Sequence, residues 1–267
     1  MKKNEEAYCI LKSKKINLII LDKKNNRNYG IDLSRIISMF LIINIHIIYH
    51  GGPLFKTQKF SIEHKIFIFL NIICASGVNT FGLISGCIGF NSYKFSNLFY
   101  LLFTTIFYSL TISHLFKYFK PNLVDYSTYF SFIIVITDYW YFISYFTIYF
   151  FFPLINVGIT QIKEKTMKHF VINLFLMFSF LNEIMKYTKG FESSDIFNLK
   201  NGFSFSWLLI LYLFGSYLGR FKIDLKKKRK NYFYIICFFI IIILALIKTK
   251  LLINKMIQNN TVFDDII

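Results

Sequence analysis

The chain has 267 residues, 55% of them hydrophobic, with a mean hydropathy of +0.49. These values exclude an ordinary soluble domain and favour a polytopic membrane protein. The formal net charge is +17, but its distribution matters more than its total, because an AT-rich genome also encodes abundant Lys, Asn and Ile. The four cysteines have no CxxC spacing, so neither a disulfide framework nor a cysteine metal cluster is predicted.

Runs of about twenty apolar residues predict the membrane spans. Residues 1–28 are basic and polar and are interpreted as a cytoplasmic N-terminal segment, before a membrane domain over 29–247 and a tail over 248–267. The candidate spans lie at 32–50, 66–90, 97–116, 140–158, 169–182, 204–220 and 231–247. A shorter apolar stretch, 126–137, is interpreted as re-entrant or interfacial. The predicted fold is an all-α integral membrane bundle of about seven transmembrane helices.

The basic residues between these spans predict the orientation. With the N-terminus in the cytoplasm, the four cytoplasmic segments contain 19 basic and 5 acidic residues, against 11 basic and 8 acidic residues on the other side. This bias follows the positive-inside rule. The run "KIDLKKKRK" (222–230) is interpreted as a stop-transfer anchor that contacts anionic lipid, because a nucleic-acid site is not expected directly between two spans.

The first span contains ionisable residues that lipid would not tolerate. On a helix, Arg35 and His46 are eleven positions apart, which puts them on one face about 16 Å apart along the axis. Asp32, Met39 and His50 extend the same stripe. Ionisable groups inside a span are expensive unless they face protein or water, so the stripe is a candidate functional site.

Two other interpretations of the stripe remain open. Asp32 and Arg35 could form an ion pair at the headgroup level, while His46 makes a hydrogen bond to another helix. His46 and His50 have the spacing of helical zinc ligands, but no third ligand is evident nearby, and no metal is expected.

Several segments together resemble the bacterial membrane acyltransferase-3 family. The segment "RNYGIDLSRIISMFLIINIHIIYHGG" contains the Arg-x10-His pattern of its first helix, here Arg35 and His46, and "SGVNTFGLISGCIGF" resembles its second helix through Phe81, Ser85 and Gly86. The segment 138–156, which ends in Pro153-x2-Asn156, and the segment 204–221 resemble later family helices. The resemblance covers about residues 27–221. Family members usually have further helices beyond this point, and a paired-Arg motif of some relatives is absent here, where Lys94 stands.

The resemblance implies acyl transfer from acyl-CoA, with acetyl-CoA the expected donor, to a hydroxyl of a cell-surface polysaccharide or lipid-linked glycan. His46 is then the expected general base. Arg35 is suited to a donor phosphate or the thioester carbonyl, and Asp32 would orient it. Ser85 and Lys94 are further donor-binding candidates, although the small residues around Ser85 also fit close helix packing.

The predicted protein is therefore an O-acetyltransferase-like enzyme of the bacterial inner membrane, with the lipid bilayer, acyl-CoA and a glycan as partners and without nucleic acid. A glycan transporter would explain intramembrane charges equally well, although no internal repeat is visible. A shortened, inactive relative is the third hypothesis. The sequence leaves the oligomeric state open.

Overall fold

The computed structural model describes residues 28–90, 93–123, 139–182, 184–185, 195, 197–221 and 227–259, and within these ranges the chain is all-helical, as predicted. The long helices are α1 (Tyr29–Tyr49), α2 (Ile62–Gly89), α3 (Phe95–Phe119), α4 (Trp140–Gln161), α5 (Glu164–Phe175, continued by a π-helix over Leu176–Leu181), α6 (Phe205–Arg220) and α7 (Lys227–Asn259). Single turns lie at Pro53–Lys56, Pro121–Leu123 and Lys200–Gly202. The predictions for the N-terminal segment and for 126–137 lie outside the described residues.

Each of the seven predicted spans coincides with a helix. Five segments are long and apolar enough to cross a membrane, namely Tyr29–Lys56, Ile62–Gly89, Phe95–Phe119, Trp140–Gln161 and Ile236–Asn254. Helix α6 has 16 residues, so its length of about 24 Å falls short of a hydrocarbon core of roughly 30 Å. The multi-pass membrane assignment is confirmed, whereas the count of seven spans and the orientation stay predictions.

Local sequence explains where the helices begin and end. Asn28 caps α1, because its side-chain oxygen accepts hydrogen bonds from the backbone N–H groups of Gly30 and Ile31. Ser61 caps α2 and Ser204 caps α6 in the same way. After α1 the chain turns at Gly52, whose φ of +87° lies in the left-handed region that glycine tolerates.

Helix α2 is the centre of the bundle, with α1, α6 and α7 packed against it, while α4 and α5 pack against α6. The contact between α1 and α2 is close at Gly77, where a Cβ atom would lie 2.8 Å from Leu41 Cβ and 2.9 Å from the Ser38 carbonyl oxygen. Because Ser38 of α1 approaches Gly77 while Ile48 clusters with Ile68, the two helices run antiparallel.

Glycines on both partners bring α2 and α6 into backbone contact. A Cβ atom on Gly86 would overlap the Tyr212 carbonyl oxygen, and one on Gly215 would overlap the Leu83 carbonyl oxygen. The pairing of Gly82 with Leu208 and of Cys87 with Gly219 makes α2 and α6 parallel. This is the close helix packing expected of small residues at four-residue spacing.

Helix α4 runs parallel to α6 and therefore antiparallel to α1. Near its start, Trp140 packs edge-on against Phe203 at 5.3 Å, and further along, Phe152 stacks on Tyr212 at 4.5 Å. The helices α1, α2, α6 and α4 thus follow one another around an arc, with α1 and α4 at its two ends.

The two remaining apolar helices differ in how they join the bundle. Helix α7 continues to Asn259, beyond the predicted end of the last span at residue 247, so the predicted tail begins as helix. Its Met256 is 1% exposed and packs with Ile48, Leu54 and Ile68. Helix α3 contributes Leu98 to the main core, and most of its other large apolar side chains are exposed, as in a helix that faces lipid.

Candidate functional site

The stripe of ionisable residues on α1 lies beside the face that packs on α2. Ser38 and Ile48 are the buried residues of α1, whereas Arg35 is 46% exposed and His46 is exposed. The Asp32 carboxylate is 3.6 Å from the Arg35 guanidinium. A partly exposed pair of this kind adds little stability, but it limits the directions in which the guanidinium can point. The two residues are therefore paired, which agrees both with an ion pair at the headgroup level and with Asp32 orienting Arg35.

The histidines stand at the other end of the stripe. The rings of His46 and His50 are stacked, with centroids 5.3 Å apart, and Tyr49 contacts His50 edge-on. Arg35 and His46 are eleven positions apart on a continuous helix, or about 16 Å along the axis. The two groups cannot touch the same atom of a ligand, so a single ligand would have to extend from one to the other.

Ser85 of α2 faces α4. Its hydroxyl donates a hydrogen bond to the Phe81 carbonyl oxygen at 2.9 Å and lies beside the hydroxyls of Tyr141 and Tyr145. Gly86, the next residue, packs against Tyr212 of α6 instead. The second helix thus has the predicted packing role on one side and presents a polar side chain on another.

The Tyr145 hydroxyl of α4 lies within electrostatic range of the Arg35 guanidinium of α1. Arg35 of α1, Ser85 of α2 and Tyr145 of α4 therefore lie near one another, beside a space between the three helices. We call this space the Arg35 cleft. Tyr145 was not predicted, because only the packing of distant helices brings α4 opposite α1.

Lys94, the other predicted donor-binding residue, is held through its backbone. The Tyr149 hydroxyl donates to the Lys94 carbonyl oxygen at 2.6 Å and accepts from its N–H at 3.3 Å. The Lys94 side chain is exposed at the start of α3. In the described part of the chain no ion pair joins Lys94 to Asp32 and no hydrogen bond joins it to Ser85, so its place in the site stays a prediction.

Three polar residues of the later helices have structural partners, namely Tyr212, Asn156 and Arg220. The Tyr212 hydroxyl donates to the Asn156 side-chain oxygen at 2.8 Å, and the Asn156 amide donates to the Gly89 carbonyl oxygen at 3.5 Å. Arg220 donates to the carbonyl oxygens of Ile159 and Ile162 at the end of α4. The Pro153-x2-Asn156 segment therefore joins α4 to α2 and α6 and does not enter the Arg35 cleft.

A second polar contact between helices was also missed by sequence reasoning. Trp207 of α6 donates its indole N–H to the Asn79 side-chain oxygen of α2 at 2.9 Å. An Asn inside an apolar span is the available sequence signal for such a bond, but it does not identify the partner. Among the described residues, no three His, Cys, Asp or Glu side chains lie together in a way that could hold a metal ion.

Comparison with known proteins identifies the family. A family model described as an acyltransferase domain matches residues 28–262. The chain belongs to this family, acyltransferase family 3. No curated protein and no solved structure matches the chain. The family match extends past residue 221, where the sequence resemblance ended, and includes the whole of α7.

Family membership, together with five apolar helices of spanning length, makes this protein a membrane acyltransferase. The Arg35-x10-His46 pattern lies within the matched range on one uninterrupted helix. Membership favours transferase chemistry over the transporter hypothesis.

Proposed function

We propose that this acyltransferase moves an acyl group, acetyl in the first instance, from acyl-CoA to a hydroxyl of a cell-surface polysaccharide or lipid-linked glycan. The observation that carries the proposal is the placement of Arg35 and His46 on one side of α1, about 16 Å apart, with Arg35 facing a polar cleft between helices. This separation suits a long donor whose anionic end and reactive end are far apart, as they are in acyl-CoA.

The separation assigns the two residues to different parts of the donor. Arg35 binds a phosphate of the nucleotide end, because a planar guanidinium matches a phosphate with two parallel hydrogen bonds. Asp32 is the positioning residue that restrains Arg35. The extended donor arm then brings the thioester to His46, at the opposite end of the stripe.

His46 acts as the general base in this mechanism. Its imidazole takes the proton from the acceptor hydroxyl as that oxygen attacks the thioester carbonyl carbon, and the carbonyl electrons move onto oxygen. The tetrahedral intermediate collapses with cleavage of the C–S bond, and the departing CoA sulfur receives the proton from the imidazolium. The products are an O-acyl ester and free CoA.

The orientation follows from the distribution of Lys and Arg. The N-terminal end of α1, with Asp32 and Arg35, is on the cytoplasmic side of the bacterial inner membrane, where acyl-CoA is made. His46 is then nearer the opposite side, where an envelope glycan is available. Donor and acceptor meet inside the bilayer from opposite sides.

We expect Arg35→Lys to weaken donor binding about tenfold. Lysine keeps the positive charge but loses the planar fork that makes two hydrogen bonds to one phosphate, and one charge-assisted bond is worth about 1.5 kcal/mol or more. Calorimetric titration of the purified protein with CoA measures the change. Arg220→Lys is the control, because Arg220 caps α4 outside the cleft. Equal CoA affinity in wild type and Arg35→Lys would make Arg35 an anchor only.

A further inference from the structure

A ladder of tyrosines lies on one face of α4. Tyr141, Tyr145 and Tyr149 are four residues apart, which places them one above another. The rings of Tyr141 and Tyr145 are parallel within 6° with centroids 6.3 Å apart, and those of Tyr145 and Tyr149 are 6.2 Å apart. Tyr141 also contacts Phe81 of α2 edge-on at 6.1 Å. The ladder therefore faces the inside of the bundle.

Two tyrosine hydroxyls on this side of the bundle, those of Tyr149 and Tyr212, have protein partners. Tyr149 is bonded to the backbone of Lys94, and Tyr212 of α6 is bonded to Asn156. Each of these bonds joins two segments of the chain. These two hydroxyls therefore have a structural role.

The hydroxyls of Tyr141 and Tyr145 have different surroundings from those of Tyr149 and Tyr212. The Tyr141 hydroxyl is buried, and although it faces Ser85, it makes no hydrogen bond of ordinary length to any described residue. Ser85 gives its own proton to the Phe81 carbonyl oxygen. The Tyr145 hydroxyl faces Ser85 and the charge of Arg35. Because a buried hydroxyl without a partner costs free energy, this arrangement calls for a ligand that supplies the partners.

The order of these groups matches the direction of the proposed donor. Helix α4 is antiparallel to α1, so the step from Tyr145 to Tyr141 runs in the same direction as the step from Arg35 to His46. The two tyrosines are about 6 Å apart along the axis. A ligand that extends from Arg35 toward His46 passes Tyr145 first and Tyr141 next.

The arm of CoA between its diphosphate and its sulfur contains two amides separated by methylene groups. Each amide offers one N–H and one carbonyl oxygen, and a tyrosine hydroxyl can accept from the first or donate to the second. The flat aromatic ladder gives the methylene groups an apolar surface. We propose that Tyr145 and Tyr141, with Ser85 beside them, bind the amide groups of this donor arm. The inference rests on the proposed function, since it identifies the part of the donor that this face of the cleft takes.

The test compares two ligands on the purified full chain. CoA has the arm, whereas 3′-phosphoadenosine 5′-diphosphate, called the bisphosphate below, has the same nucleotide phosphates without it. We expect Tyr145→Phe and Tyr141→Phe each to weaken CoA binding by roughly three- to tenfold and to leave bisphosphate binding unchanged. Tyr149→Phe is the matched control on the same ladder. It removes a hydroxyl that bonds Lys94, so it should lower thermal stability and keep the ratio of the two affinities.

The outcomes separate this inference from the proposed function. Tyr141→Phe removes a hydroxyl that has no hydrogen-bond partner among the described residues, so it should fold even if Tyr145→Phe does not. If wild type binds CoA and both variants keep the wild-type ratio of affinities, the tyrosines do not contact the arm and the inference is wrong. If wild type binds neither CoA nor the bisphosphate, the donor assignment itself fails.

Discussion

Replacing His46 with alanine should lower acyl transfer by about a hundredfold or more. The side chain is exposed and packs against His50 alone among the described rings, so its loss leaves neither a cavity nor an unpaired buried group. Insertion and thermal stability should therefore stay near wild type. The measurement is O-acyl ester formed per unit of inserted protein, because a loss of protein would otherwise resemble a loss of catalysis.

The control for this variant is another exposed histidine. His169→Ala removes an imidazole of α5 that bonds the Lys165 carbonyl oxygen of its own helix, and it should retain nearly full activity. His50→Ala tests the neighbouring ring and should have a smaller effect than His46→Ala. Undiminished ester formation in His46→Ala would remove the general base from the mechanism and support a purely structural role for the stripe.

Gly86→Ala should be strongly destabilising. A Cβ at this position would overlap the Tyr212 carbonyl oxygen, so α2 and α6 would have to move apart along their closest contact. Overpacking of this kind costs about 1–3 kcal/mol, and the bond from the Ser216 hydroxyl to the Gly86 carbonyl oxygen, now 3.1 Å, would lengthen. Thermal unfolding in detergent should show a clear fall in the midpoint.

Gly158→Ala is the matched control for Gly86→Ala. It makes the same change in the last turn of α4, where a new Cβ would meet no atom within 4 Å outside its own helix backbone, as far as the described residues extend. Since alanine is the better helix former by about 1 kcal/mol, this variant should be neutral or slightly stabilised. Equal midpoints for the two variants would mean that α2 and α6 do not pack through Gly86.

The features that could be predicted from the sequence are those that depend only on residues within a single helix. The span positions follow from apolar runs, and the common face of Arg35 and His46 follows from helical periodicity, so neither needs the tertiary structure. The predicted last span ends at residue 247 because Lys248 and Lys250 lower the local hydropathy. Backbone hydrogen bonding does not depend on that apolarity, and the helix continues to Asn259.

The features that could not be predicted join residues far apart in the chain. Tyr145 faces Arg35 only because α4 packs on α6, α6 on α2 and α2 on α1. The bond between Asn79 and Trp207 spans 128 positions, and no local pattern pairs them. For Ser85 the sequence left packing and donor binding as alternatives; in the structure the packing contact with α6 is made by Gly86, and donor binding by Ser85 stays a prediction.

Transfer of labelled acetyl groups across oriented membranes is the most direct test of the proposed function. The protein is placed in sealed inside-out vesicles whose lumen contains envelope glycans of the host. Acetyl-CoA labelled in the acetyl group is then added outside, on the face that corresponds to the cytoplasm. We predict alkali-labile label in the saccharide fraction, dependent on His46 and absent when the donor is supplied only to right-side-out vesicles. Label in the saccharide at equal rates with wild type and with empty vesicles would contradict the assignment of this protein as a glycan O-acetyltransferase.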